Sequence, residues 1–201
     1  MKVVREGIVW VYLLLFRICY GVFRLLPLRP VTLFWMTYGD NAKPVNDRLA
    51  QELPNEKRYL VYDHHFMKQP DLWKSDRMLR FRRLRFVRLA YLLATSRTVF
   101  VDNYVAEFSV AKTRRGTRRI QLWHAGGTLK QFGLTSSKSL FVSERIRNRF
   151  RRVYQEYGDF IVPGMRCATQ FMAPHDLKRS HFKPFGMPRT DYWYDEVQRE
   201  H

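Results

Sequence analysis

The sequence predicts an open α/β fold preceded by an amphipathic helix, and three observations carry that prediction. From residue 31 onward, short β-rich apolar runs alternate with longer helical patterns. Each of the first four predicted strands stops at a polar residue, the place where an α/β sheet opens onto functional loops. Ahead of them lies an apolar stretch closed by Pro27 and Pro30, neither of which continues a helix. The chain has 201 residues, of which 46% are hydrophobic and 15% aromatic, which excludes disorder despite a formal charge of +18. That length allows one or two domains and a sizeable core.

The elements follow in order. Residues 7–26 hold the apolar run 8–16, then Arg17 and Arg24. A spanning helix wants about 20 largely uncharged residues, and arginines are costly near a bilayer centre. A signal peptide fits poorly, since no small-residue cleavage site follows the apolar run and the aromatic-rich continuation through Tyr20 and Phe23 is unlike one. Arg17 and Arg24 share one helical stripe, and Trp10, Phe16, Tyr20 and Phe23 are placed to sit at headgroup depth. The reading is a helix lying in the membrane surface, with residues 1–29 as an association segment and 30–201 as the body. The competing reading packs that helix on the protein's own core. Residues 31–37 then read as a buried strand, Tyr38-Gly39-Asp40-Asn41 as a turn, and 46–52 as a helix. A strand over 59–62 precedes one long helix over 72–94, and a strand over 98–101 ends in Asp102-Asn103. A strand over 119–123 ends in His124, a helix covers 143–157, a strand covers 160–162, and 185–191 is a loop punctuated by Gly186 and Pro188.

The most informative stretch is 117–130, where an apolar strand delivers His124 to Gly126-Gly127, followed by Lys130. Histidine titrates near neutrality and can accept a proton from an attacking hydroxyl. Paired glycines let backbone N–H groups approach a phosphate, and a nearby lysine neutralises its charge. Phosphoryl chemistry is the first expectation; a satisfied histidine at a strand end is the bland alternative. Asp102 is the expected spatial neighbour of His124, unless it serves only as a turn or cap residue. Arg189 and Asp191 lie in the last loop, as substrate contacts or as a mutual ion pair.

Cys19 and Cys167 are far apart, so neither a disulfide framework nor a zinc site is expected, and the setting is read as reducing and cytoplasmic. His64-His65 beside Asp63, and His175 beside Asp176, are read as surface histidines in loops. Arginines crowd three segments: Arg77 to Arg88, Lys112 to Arg119, and Arg145 to Arg152. Most such runs are solvated faces, yet beside an interfacial helix each basic residue adds roughly 1 kcal/mol of attraction to an anionic membrane.

Together these residues resemble the CDP-glycerol glycerophosphotransferases that prime and extend teichoic-acid-type polymers. The resemblance rests on Ile120-Gln121-Leu122-Trp123-His124-Ala125-Gly126-Gly127-Thr128-Leu129-Lys130-Gln131-Phe132-Gly133, on Val99-Phe100-Val101-Asp102-Asn103, and on Gly186-Met187-Pro188-Arg189-Thr190-Asp191. In the last of these Thr190 replaces the family's asparagine. The resemblance implies a Rossmann-like lobe of a GT-B glycosyltransferase-like fold, in which this lobe binds the acceptor and a second holds the CDP moiety. Nothing after Asp191 supplies that second lobe. The chain is therefore expected to be the acceptor-side part, as a fragment, a truncated product or one piece of a split enzyme that needs a separate nucleotide-binding lobe. The implied reaction transfers glycerol phosphate from CDP-glycerol to a lipid-linked polyol-phosphate acceptor at the cytoplasmic face of the membrane, releasing CMP. The expected roles are His124 as general base, Asp102 fixing its tautomer, and Gly126, Gly127, Lys130, Arg189 and Asp191 contacting substrate, with no metal or cofactor.

Two other classes compete. A nucleic-acid-binding module would use the same arginines along a phosphate backbone, but no recognisable nucleic-acid motif is present and the apolar helix has no purpose there. A noncatalytic membrane-associated relative would keep the fold and the lipid contact without turnover.

Overall fold

The structure is a computed structural model, and it describes residues 2–62, 78–80, 85–127, 131–137 and 142–194. Among them, seven strands form one sheet in the order β3-β2-β1-β4-β5-β6-β7, with every neighbouring pair parallel. In chain order the elements are α1 (Lys2–Phe23), β1 (Arg29–Met36), α2 (Ala42–Glu52), β2 (Lys57–Tyr62), β3 (Met78–Arg80), α3 (Phe86–Thr95), β4 (Ser96–Val101), β5 (Arg118–Gln121), α4 (Glu144–Gln155), β6 (Asp159–Ile161), α5 (Met165–His175) and β7 (Phe182–Lys183). This is the mixed α/β class the sequence predicts, with a wholly parallel sheet.

The strand sequences explain their burial. β1 is buried at every position from Val31 to Met36, the continuous apolar run expected of a parallel strand covered on both faces. Alternate residues feed two cores. Leu33, Trp35, Val99 and Val101 join the side chains of α1, α3, α4 and α5 on one face, while Phe34, Met36, Leu60 and Phe100 meet α2 on the other. Chain order reverses between β1 and β4, which lie side by side, so the loops after both strands converge at a topological switch point.

α1 is longer than the apolar run that announces it, because Lys2 to Gly7 add a further turn and a half. It presents two different apolar faces. Leu13, Phe16 and Tyr20 are buried in the core, and Tyr12 and Phe23 stack edge-on against Phe86 and Tyr91 of α3. The Tyr12 hydroxyl donates to Glu107 at 2.6 Å and the Tyr20 hydroxyl to the Lys112 carbonyl at 2.6 Å. Away from the core, Val4, Ile8, Val11, Leu15, Ile18 and Val22 form an exposed strip at helical spacing. By length and composition alone, Val4–Phe23 is also sufficient to cross a membrane.

Several predicted boundaries change. The single long helix over 72–94 is replaced by the β3 strand and a helix that starts only at Phe86. Met78-Leu79-Arg80 pairs in register with Leu60-Val61-Tyr62, and this edge pairing overrides the local helical pattern; residues 72–77 and 81–84 lie outside the described residues. α5 and β7 are absent from the sequence-based scheme. The first carries Pro174 in its last turn and the second is only two residues long. His175 is not a surface histidine. It ends α5 fully buried, ringed by Trp123, Phe132, Tyr154, Phe160 and Phe171. Burial lowers its pKa to about 4, and its Nδ1 bonds the Phe171 carbonyl at 3.0 Å. His64, His65 and Asp63 lie outside the described residues.

Arg119 also departs from the solvated-face reading of the arginine runs, being 2% exposed. Its guanidinium stacks 4.2 Å over Phe108, donates to the Ala111 carbonyl at 2.6 Å and pairs with Glu156 at 3.3 Å. Glu156 in turn accepts from the amide and hydroxyl of Thr113. A buried guanidinium needs such partners, and here they tie β5 to the loop before it and to the end of α4.

A candidate catalytic site at the ends of β1, β4 and β5

β5 ends at Gln121, and the next two residues aim the imidazole. Leu122 still bonds across to the Val101 carbonyl at 2.7 Å. Trp123 then adopts φ +50, a left-handed conformation costing a tryptophan roughly 1 kcal/mol or more. That reversal sends the indole inward against Phe132, Phe160, Phe171 and His175. His124 is left half-buried at the sheet edge, its ring 4.4 Å from Tyr38 and 4.6 Å from Trp123. The strain is offset by the Trp123 amide bonding the Gln121 side chain at 2.9 Å and by Asn41, whose Nδ2 donates to the Trp123 carbonyl at 2.7 Å and to that of Leu122 at 3.3 Å.

Asp102 and His124 are neighbours, but through the main chain. Nδ1 of His124 lies 3.0 Å from the Asp102 carbonyl oxygen, which can only accept. In the neutral ring Nδ1 therefore carries the proton and Nε2 the lone pair. The Asp102 carboxylate faces elsewhere: it accepts the amides of Thr37, Tyr38 and Gly39 at 2.8, 2.8 and 2.7 Å. It thereby shapes the loop after β1. Burial pushes its carboxyl pKa up, against the opposing pull of those three amides.

Arg189 enters from a 3-10 helical segment, Pro188–Tyr194, which takes over the second half of the stretch expected to be a loop. Its Nη1 donates to the His124 carbonyl at 3.2 Å and pairs with Asp40 at 3.3 Å, while its amide meets the Asn41 side-chain oxygen at 3.3 Å. The alternative of an Arg189–Asp191 pair gives way to the Asp40 pairing. Asp191 instead borders a small apolar pocket of about 270 Å³ with Ile120, Ile161 and Phe185. Gly126 approaches that same stretch so closely that a Cβ would lie 2.7 Å from the Met187 sulfur, and a Cβ on Gly127 would lie 3.3 Å from the Gln170 side chain. Lys130 lies outside the described residues. Asp102, His124, Gly126 and Arg189 thus converge, with Asp191 set apart. Asn41 is the residue that sequence reasoning misses, visible there only as the last member of a turn; buried at 1% exposure, it joins three loops.

Residues 20–201 match the family described as CDP-Glycerol:Poly(glycerophosphate) glycerophosphotransferase. The chain belongs to that family. Among curated members, it is 28% identical over 152 residues to the teichoic acid glycerol-phosphate primase of Bacillus subtilis (strain 168), covering 76% of this chain and 35% of that protein. It is 34% identical over 112 residues to the corresponding primase of Bacillus spizizenii (strain ATCC 23059 / NRRL B-14472 / W23), covering 56% and 29%. The fold is that of the wall teichoic acid polymerase TagF: a variant of that protein superimposes with a TM-score of 0.69 at 14% identity, covering 92% of this chain and 46% of the other. The chain thus spans about a third of the length of these primases and under half of TagF. Within the family match lie the whole sheet and every residue of the convergent site.

Proposed function

We propose that this chain is the acceptor-side lobe of a glycerophosphotransferase of GT-B-like architecture, acting at the cytoplasmic face of the membrane. In that reading, a terminal hydroxyl of a lipid-linked polyol-phosphate acceptor gives its proton to Nε2 of His124. Its oxygen attacks the β-phosphorus of CDP-glycerol, and the bond to the CMP oxygen breaks. The observation that carries the proposal is the Nδ1–Asp102 carbonyl bond, which fixes the free lone pair on the nitrogen facing away from the sheet's main chain. A positioned base of this kind is worth about 10²–10⁴-fold in rate. Positioning and charge neutralisation supply the rest in phosphoryl transfer, work assigned to the Gly126–Gly127 backbone, Lys130 and Arg189. Asp191, standing apart, is assigned to the loop's contact with acceptor rather than to the reacting phosphate. The CDP moiety is held by a separate nucleotide-binding lobe.

The exposed apolar strip of α1 supports membrane-surface association. With its opposite face sealed against α3 and the core, the helix meets lipid on one side only, which suits an interfacial helix better than a spanning one. The test is CMP release from CDP-glycerol on addition of acceptor lipid, with this chain alone and with a nucleotide-binding lobe supplied. His124→Ala abolishes release if the proposal holds; release that survives the substitution refutes the assignment of the base.

A further inference from the structure

A second feature of the molecule lies away from the histidine. It is a groove of about 1330 Å³ between α1 and α4, roomier than the roughly 300–1,000 Å³ of a drug-sized ligand site. Its floor is apolar, built from Leu13, Val110, Ile146 and Phe150. Its rim is basic: Arg5 and Arg17 stand on α1, and Arg145, Arg149 and Arg152 on α4. Glu6 is the acidic residue of the lining and is engaged with Arg149 at 3.0 Å. Among the described residues, Arg5, Arg17, Arg145 and Arg152 have no carboxylate within ion-pair distance. The Arg145 guanidinium sits 5.9 Å over Trp10, and Trp10 and Leu14 are both groove lining and exposed surface, making the floor continuous with the outer apolar strip of α1.

The geometry points to a seat for one anionic phospholipid. Its headgroup phosphate lies among the unpaired guanidiniums, and one acyl chain runs along the floor toward the exposed strip. Two features choose this occupant. An apolar trough opening onto a lipid-facing helix is wasted on a free phosphate, and four uncompensated guanidiniums disfavour a zwitterionic headgroup. The seat rests on the reading that α1 lies in the membrane surface, and it makes that contact specific: one lipid is held in a fixed pose.

The test uses the full chain and dihexanoylphosphatidylglycerol below its micellar concentration, titrated by calorimetry. One molecule binds per chain. The double variant Arg145→Gln, Arg152→Gln weakens this binding by roughly thirtyfold at an unchanged thermal unfolding midpoint. Ile8→Ser with Ile18→Ser, outside the groove, leaves it intact but releases the chain from phosphatidylglycerol vesicles. Unchanged affinity in the arginine double variant overturns the seat alone. Equal affinity for dihexanoylphosphatidylcholine, or displacement by equimolar inorganic phosphate, also overturns it. Failure of the wild-type chain to bind the vesicles overturns the surface reading, and the seat with it.

Discussion

The side-chain amide of Asn41 donates to the main-chain carbonyl of Trp123 at 2.7 Å, joining positions 82 residues apart. Through that bond the loop after β1 holds the left-handed residue that aims the His124 imidazole, the base of the proposed reaction. Asn41→Ala leaves buried acceptors unpaired, and should cost about 1–3 kcal/mol in urea unfolding. Because the turn at Trp123 loses its brace, CMP release should fall at least as far as stability does. A variant with normal turnover and lowered stability would show the bond to be scaffolding only.

Asp102→Asn separates a carboxylate relay from a main-chain one. The carbonyl that meets His124 survives the change, but an amide NH₂ must then face at least one of the three N–H donors now bound by the carboxylate. The expected result is a loss of about 2–4 kcal/mol in stability. Nitrogen-15 shifts of His124 should still report the Nδ1–H tautomer in the folded fraction. A switch to the Nε2–H form would mean that the carboxylate, not the carbonyl, governs the ring.

His175 makes stability depend on pH. Its folded pKa of about 4 lies below the ordinary 6.5, so between those values the unfolded chain binds the extra proton. Its contribution is complete above about pH 6.5 and is lost as pH falls toward 4, amounting to about 3 kcal/mol. His175→Phe fits a site walled by aromatic rings and should flatten that part of the profile. Urea midpoints at pH 7 and pH 4.5 give the comparison, and an equal acid loss in both proteins would place the titration elsewhere.

Two glycines of the central motif should respond very unequally to alanine. Gly133 has φ +55, and an added Cβ would sit 2.4 Å from the rigid carbonyl oxygen of Pro174. Gly133→Ala should therefore cost about 3 kcal/mol or more in thermal or urea unfolding. At Gly126 the obstacle is the flexible Met187 side chain, so the alanine should cost under about 1 kcal/mol. Comparable losses would mean that the loop carrying Met187 is as unyielding as α5.

What the sequence makes legible is what repeats along it. β1 and β4 show as short apolar runs closed by a polar residue, while β5, Arg118-Arg119-Ile120-Gln121, shows only through Ile120 and the apolar pair Leu122-Trp123 that follows it; the ends of β4 and β5 bring Asp102 and His124 together. α4 shows through its long charged period with Val153 and Tyr154 inside. β3 is hidden because three residues pairing at an edge carry no period of their own. α5 is hidden by Pro174 and by a face that meets aromatics from distant segments. Composition marks Arg119 as one more surface arginine, and only its partners Ala111, Phe108 and Glu156 reveal otherwise. The linking role of Asn41 depends on three loops meeting, which no local window contains.

The two-sided character of α1 has a practical corollary for anyone isolating this chain. Phe16 and Tyr20 complete the same interior that Leu89, Ala90 and Leu93 of α3 require. Deleting the helix to gain solubility would strip α3 bare and exchange one exposed apolar surface for another. Keeping α1 in place, not truncating it, is the route to a well-behaved preparation.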